Sequence, residues 1–554
     1  MSSLCYQLAH QDTALGVGYF TPQPSPPLPL EACLAHICTH PWDEFMRGHA
    51  RQILATHSLA QLRDLCIQPD SVLRGLVAET LLLTPALSAV RQELWPDHDQ
   101  LCSLASTSPQ IFLRSALLTD HASHALASAL LRANIFSLQP IAENQLPALP
   151  DPGPAPAQID IAALRSTVRP EPPCPRKPAS ETYHIAMERL YGLGIFDSPE
   201  MRHQASLSPW GLLRRWRLDR TVRCGPCDYR LQGVLTGYGR GCVLEDAHAS
   251  LAMEIVERYS SFADIRNQRI SGNQANPELI KARLSELTMP ALDPNTICLE
   301  APYTDAPLYW IEAETALGAS CLVPFQCVYL FANLDEQRLF GALGSTGLAA
   351  GNTSAEAKLS GLLEVIERDS EAVTPFDLKH CFRLDSRDPE LCALLEQYQA
   401  QGIDPIMQDI TTELGVPCYR CFVPPVSPDQ GLIKATGASL CGARAALSAL
   451  TETPFPFPHG PASGAGPANL PRRMLEDLPD YSTGSATGDL ALLEAILAAQ
   501  GLAPIYVNLT KRELRLPVYR ALVPGLEIVS DFDRFTRISP RLWRNVLTLC
   551  AEQK

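Results

Sequence analysis

Apolar positions change rhythm along this chain. Between residues 30 and 136 they recur at helical spacing over His49–Leu59, Ser71–Leu83 and His124–Ala133, in a background rich in Leu, Ala, His and Gln. A period near 3.6 gathers them on one stripe, so the spacing predicts helices and no strands. Beyond residue 183 the pattern alternates. Short apolar runs at Leu308–Glu314, Cys321–Phe331, Cys418–Val423, Ile505–Leu509 and Val518–Val523 predict strands. Longer periodic runs at Ala247–Phe262, Ala355–Ala372, Pro389–Gln401, Ala443–Glu452, Leu490–Gln500 and Pro540–Cys550 predict helices. Strands interleaved with helices read as a mixed α/β fold.

Proline marks the joints. Five prolines cluster between Pro22 and Pro29, and eleven fall between Pro140 and Pro178. So many prolines cannot continue a helix or occupy a central strand, which predicts an extended, semi-rigid linker. The expected division is an all-helical N-terminal domain over 1–136, a Pro-rich linker over 137–182 and a mixed α/β domain over 183–554. A second Pro/Gly-rich stretch, Pro454–Pro471, follows the Ala443–Glu452 helix and predicts a mobile active-site or interface loop.

Charge narrows the partners. With 60 acidic and 45 basic side chains the 554-residue chain carries a net −15, which argues against nucleic acid and anionic membranes as general partners. The exception is Leu213–Arg223, with five arginines around Trp216, a solvent-facing edge or a docking surface for an acidic peptide. No run reaches the ~18 apolar residues of a membrane span, and Met1-Ser2-Ser3-Leu4 lacks the basic start of a secretory signal. The expected location is cytoplasmic, with reduced thiols. Of two CxxC pairs, Cys224/Cys227 and Cys418/Cys421, the second sits in a strand and would send its thiols to opposite faces, so both read as buried thiols rather than a zinc site.

The informative feature is a repeat. Ser250xxxGlu254xxGlu257Arg258 recurs as Ser360xxxGlu364xxGlu367Arg368, both on helical stretches. Spacings of four and seven put the serine and both glutamates on one helix face, and in the second copy the stripe reaches back through Glu356 and Asn352. Carboxylates a turn apart repel unless a cation sits between them, and hard oxygen ligands suit Mg²⁺. A metal-free pairing of arginines with glutamates across an internal two-fold is the alternative. No GxxxxGK[ST] phosphate loop occurs. Glycine-rich segments, Gly237-Tyr-Gly239-Arg-Gly241 and Gly341–Gly351, read as turns ahead of the two motif helices.

These blocks resemble the YcaO family. The resemblance rests on Gly239-Arg240-Gly241, the two repeats, Gly351-Asn352-Thr-Ser-Ala-Glu356, the segment Ala446-Leu-Ser-Ala-Leu-Thr-Glu452 and the ending Tyr506–Thr510 with Leu516–Glu527. It covers roughly residues 185 to 535 and implies a YcaO-like α/β catalytic domain with an internal pseudo-repeat. It also implies ATP and Mg²⁺ as cofactors, and activation of a peptide backbone amide by phosphorylation of its oxygen. An azoline or a thioamide is the product. By position, Glu254, Glu257, Glu364, Glu367 and Glu452 would hold Mg²⁺. Arg240, Ser250, Asn352, Glu356 and Arg368 would bind the nucleotide, and Arg258 would brace the glutamates. No residue is assigned to proton transfer. Implied partners are a peptide or protein substrate and a TfuA-like or other delivery protein, with no nucleic acid and no membrane; a homodimer is open. The chain departs from the pattern at Arg240 (usually Lys), Ser448 (Arg or Gln) and Phe455 (often Gln), and Leu549–Lys554 lacks the proline-rich tail of azoline-forming members. These departures keep an accessory role in a sulfur-transfer or methylthiolation system as the alternative.

Overall fold

A computed structural model describes residues 4–11, 19–94, 108, 111, 121–168, 174–224, 228–297, 302–340, 344–427, 430–528, 535 and 537–552. The chain opens not with helices but with two strands, β1 (Leu4–Gln11) and β2 (Tyr19–Pro24). Helices α1 (Leu30–Thr39), α2 (Glu44–Ala55), α3 (Leu59–Cys66), α4 (Ser71–Leu83), α5 (Ser88–Leu94) and α6 (His121–Ser137) follow. The expectation that everything before the linker is helical therefore fails at Leu4–Gln11 and Tyr19–Pro24. Tyr6 and Leu8 alternate toward the core, and Pro22 and Pro24 sit in the edge strand β2, where a missing N–H is tolerated.

After the linker come α7 (Ile161–Arg165), α8 (Ala179–Gly192), β3 (Met201–Arg202), β4 (Trp210–Arg223), β5 (Asp228–Gly241) and α9 (Leu244–Ser260). Next are β6 (Asp264–Arg266), β7 (Arg269–Ser271), β8 (Ile280–Ala282), β9 (Leu308–Thr315), β10 (Ser320–Pro324), β11 (Leu348–Ala350) and α10 (Ser354–Val373). The run Cys321–Phe331 is thus a strand only to Pro324, where proline ends the ladder and a 3₁₀ turn begins. The chain closes with β12 (Cys381–Asp385), α11 (Pro389–Ala400), β13 (Ile406–Asp409), β14 (Cys418–Val423), β15 (Ile433–Ala438), α12 (Gly442–Glu452), β16 (Arg472–Met474), α13 (Ala486–Ala499), β17 (Ile505–Asn508), β18 (Val518–Leu522) and α14 (Pro540–Ala551).

Three sheets result. The first runs β2-β1-β5-β4-β6-β7 with β3 beside β4, the second β10-β9-β17-β18-β11 with β8 beside β9, and the third β15-β14-β13-β12-β16. β1 lies parallel to β5, with Leu4 opposite Tyr229 and Leu8 opposite Gly233. Tyr6, Cys33, Met46, Leu76 and Leu81 from the N-terminal region share one core with Trp216, Leu231 and Ile255. β1, α1, α2 and α4 are therefore built into the first sheet's core, while Leu131 and Ile135 of α6 pack with Val373, Leu542 and Val546.

The Pro-rich segment is a strap. Ile161 packs with Leu414 and Val416, the Ile159 N–H donates to the Glu413 carbonyl (2.9 Å), and Arg544 donates to the carbonyls of Pro152 and Gly153. The Pro454–Pro471 loop is likewise tied down: Ser463 N–H donates to Gly402 O, Gly466 N–H to Asp404 and Arg383 to Pro467 O. Among the described residues, no helix is long and apolar enough to cross a membrane.

Candidate functional site

Three helices deliver the acidic residues, and glycine lets two of them sit close to their strands. Gly237 and Gly239 lie within β5, not in a turn. A Cβ on Gly239 would come within 2.2 Å of the Ala247 carbonyl of α9, and one on Gly437 of β15 within 2.4 Å of the Ala445 carbonyl of α12. Only glycine permits such backbone approach. The glycines thus set helix-on-strand packing where a phosphate-facing turn was expected; Gly341 lies outside the described residues. α10 is started by Thr353, whose side chain accepts from Glu356 N–H, while the Glu356 carboxylate accepts from Asn352 N–H (2.8 Å). The side chains of Asn352 and Thr182 also bond to one another.

On α9, Glu254 accepts from Tyr238 N–H of β5 (3.0 Å), and Arg258 lies 3.8 Å from Glu254 and 3.2 Å from Glu257. On α10, Arg368 stands 3.6 Å from Glu367 and 3.2 Å from Glu371, and Thr436 of β15 donates to Glu367 (2.7 Å). At the end of α12, Glu452 meets Arg240 of β5 at 3.1 Å. Ser250 is exposed on α9.

Electrostatics join the three helices. Burial, opposed by Arg258 and reinforced by repulsion from Glu364 and Glu254, pushes the Glu257 carboxyl up to about 8. Burial, with Glu452 and Glu364 nearby, pushes Glu367 up to about 7. Burial also raises Glu254 and Glu364, each further repelled by Glu452. Carboxyls raised by desolvation and by mutual repulsion form an acidic pocket that favours cations. The donor set, all carboxylate oxygen, suits Mg²⁺ in kind and charge. Among the described residues no three acidic, His or Cys side chains converge on a single ion position; the carboxylates are turned instead on to Arg240, Arg258 and Arg368.

One member of this site escaped the sequence reading. Arg520 of β18 is 1% exposed, faces Glu364 and Glu257, and is lowered to about 10 chiefly by burial. Its Nη1 donates to the Gly344 carbonyl (3.0 Å), while Nε has no hydrogen-bond partner among the described residues. The available signal was an arginine set inside the apolar run Val518-Tyr-Arg520-Ala-Leu522. Elsewhere, Cys418 and Cys421 are buried in β14, with burial pushing the Cys421 thiol up to about 12. Cys227 lies outside the described residues. Phe455 is buried in the third core.

A family model described as YcaO cyclodehydratase, ATP- and Mg²⁺-binding, matches residues 238–454 and 458–527. The chain belongs to the YcaO family. ATP and Mg²⁺ are the cofactors of that family, and both matched segments contain the elements just described. An uncharacterized protein of Methanothermobacter thermautotrophicus is 30% identical over 327 residues, covering 53% of this chain and 82% of that one. A protein described as lying in the tfuA 3′ region of Rhizobium leguminosarum bv. trifolii is 31% identical over 230 residues, 39% of this chain and 53% of its own. Among solved structures, a heterocyclase in complex with substrate and cofactor superposes with a TM-score of 0.50 at 18% identity, over 68% of this chain and 57% of that one. The YcaO protein of Methanopyrus kandleri bound with AMPPCP and Mg²⁺ gives 0.45 at 22% identity, over 63% and 91%. The chain thus spans little more than half of the heterocyclase and of the Rhizobium protein. The heterocyclase likeness places the α/β architecture with that fold.

Proposed function

We propose that this YcaO protein uses ATP and Mg²⁺ to activate a backbone amide of a peptide or protein. The amide oxygen takes the terminal phosphoryl group of ATP, ADP leaves, and a nucleophile attacks the amide carbon with later departure of phosphate. The observation that carries the reading is the half-buried set of five glutamates on three helices, interleaved with arginines. Glu254, Glu257, Glu364, Glu367 and Glu452 would hold Mg²⁺; Arg240, Ser250, Asn352, Glu356 and Arg368 would contact the nucleotide. Bound Mg²⁺ supplies neutralisation of phosphate charge during transfer. The chain's own contribution is positional: α9, α10 and α12 fix where the carboxylates stand, and Arg258 and Arg520 hold charge balance behind them.

Of the two product classes we favour the thioamide, formed when delivered sulfide attacks the activated carbon. The Rhizobium relative in a tfuA region supports a TfuA-type delivery partner, and the N-terminal region, residues 1–136, is a platform for it. The free thiols, many buried, accord with a reducing, cytoplasmic setting. The experiment is mass spectrometry of candidate peptides incubated with enzyme, ATP, Mg²⁺ and sulfide: oxygen-for-sulfur exchange marks a thioamide, loss of water an azoline. Mg²⁺-dependent ATP hydrolysis should vanish in Glu364→Ala and Glu367→Ala; hydrolysis unchanged in both removes the site assignment. The second reading, an accessory protein in a sulfur-transfer system, is favoured by Ser448 and Phe455 and predicts ATP binding without turnover whatever partner is added.

A further inference from the structure

The outer face of the first sheet carries a charge opposite to that of the whole chain. In the β4–β5 pair the residues that point away from α9 are the odd positions of β4 and the even positions of β5, since Gly237 and Gly239 face that helix. Those outward positions include Arg215, Arg217 and Arg223 on β4 and Arg230 on β5, all exposed, against Asp219 and Asp228. Arg230 forks on to Asp219, and Arg217 lies 4.0 Å from Asp197 and donates to the Phe196 carbonyl at 3.5 Å. Arg215 and Arg223 have no acidic partner among the described residues. Beside this arginine row runs an apolar one on β5, where Val234 is 39% and Tyr238 36% exposed, in register with Arg217 and Leu213.

We propose that this face docks an acidic, extended segment of the peptide or protein substrate, which rests on the reaction assigned above. Charge decides the occupant: on a chain of net −15, a concentrated cationic patch attracts a short acidic segment, while the surrounding field opposes a long phosphate polymer. Geometry suits an extended chain. Outward side chains recur every second residue, about 6.6–6.8 Å apart, the same repeat with which an extended peptide presents alternate acids. Two residues beyond Tyr238 the strand reaches Arg240, which contacts Glu452. A segment on the face therefore leads directly to the acidic site.

The test is fluorescence anisotropy with a labelled synthetic peptide carrying aspartate at alternate positions, using the full chain. The acidic peptide should bind wild type, lose about tenfold or more in affinity in Arg215→Glu/Arg217→Glu, and weaken as salt rises. A lysine counterpart should bind only the reversed variant, whose melting temperature and peptide-free ATP hydrolysis stay as in wild type. Equal affinity of the acidic peptide for both proteins overturns the proposal. So does a single-stranded oligonucleotide binding more tightly through the same arginines, or a dimer in sedimentation that the reversal splits. Glu364→Ala should leave peptide binding intact. If wild type proves unable to turn over ATP while the peptide still binds, the reaction falls and the docking surface stands.

Discussion

Arg240 of the first sheet reaches across to Glu452 at the end of α12, Nη2 to Oε1, at 3.1 Å. One residue lies on a strand and the other on a helix, and the position one helical turn before Glu452 is Ser448, too short to pair with it. The cation that a helix would ordinarily supply at i−4 comes here from a neighbouring strand. Arg240→Ala should therefore weaken Mg²⁺-dependent ATP binding by about two- to fivefold, an effect typical of a part-exposed ion pair. Adding Ser448→Arg to that variant should recover most of the loss in isothermal titration. No recovery would mean that Arg240 acts on the nucleotide rather than through Glu452.

Proton release should accompany metal binding. Glu257 and Glu367 sit at about 8 and about 7 in the metal-free protein, well above an unfolded glutamate. Raised carboxyls contribute stability that is complete below the unfolded value and is lost as pH rises through 7 and 8. Without metal, the melting temperature should fall between pH 6 and 8.5. With Mg²⁺ and a non-hydrolysable ATP analogue the decline should flatten, and calorimetry in buffers of different ionisation enthalpy should show protons released on binding at pH 6.5. An identical pH slope with and without ligand contradicts the ligand set.

Lys511 gives a second pH signature, away from the acidic site. It is buried, lowered to about 7 chiefly by burial, and donates to Asn273 Oδ1 at 2.6 Å. A lysine with a depressed value contributes stability that is complete above its unfolded value and declines as pH falls toward 7. Lys511→Met removes that titration, so the variant should gain on wild type in chemical denaturation at pH 6 compared with pH 9. A constant difference between the two proteins would place the cost in packing alone.

Gly239→Ala should displace α9. The added Cβ meets the Ala247 carbonyl and Leu251 backbone, neither of which can swing away, and overpacking of this kind costs about 1–3 kcal/mol. Thermal melts should show the destabilisation, and ATP hydrolysis should fall further than stability alone explains, because Glu254 and Glu257 ride on that helix. Gly192→Ala, where a Cβ meets nothing, is the matched control.

The C-terminal helix is locked to the second motif helix by charge. Asp369, fully buried, accepts from Arg541 (2.5 Å) and from Glu527 N–H (2.8 Å), and Arg541 also meets Glu413 at 2.6 Å. Removing one partner of a buried pair costs about 3–5 kcal/mol because the other charge is stranded. Arg541→Leu should lower the denaturation midpoint accordingly, and Asp369→Leu/Arg541→Leu should recover part of it.

What was legible in the sequence was whatever repeats on a local period. The helices bearing Glu254, Glu364 and Glu452 were readable because apolar residues fill the spaces between their polar positions, and the duplicated motif pointed to one shared site. Three things were not readable. β1 finds its partner more than two hundred residues away in β5, and no local pattern encodes that pairing. The glycines of β5 resemble a turn in one dimension; only the approach of α9 explains them. Arg520 looked like one polar residue in a strand, because its meaning lies in the carboxylates of two other elements. The Pro-rich segment, expected to be an extended linker, carries the short helix Ile161–Arg165, and its docking on Glu413, Arg544 and Gln500 depends on contacts far along the chain.

The parallel seating of β1 on β5 gives the molecule a mechanical axis. Five residue pairs, from Leu4–Tyr229 to Leu8–Gly233, lie side by side, so tension applied at the first strand is shared among them in shear rather than broken one at a time. The strand that takes this load is the one whose far end holds Glu254 through Tyr238 and Glu452 through Arg240. A partner gripping the N-terminal strands would therefore pull on the same β-strand that positions carboxylates on two of the three site helices.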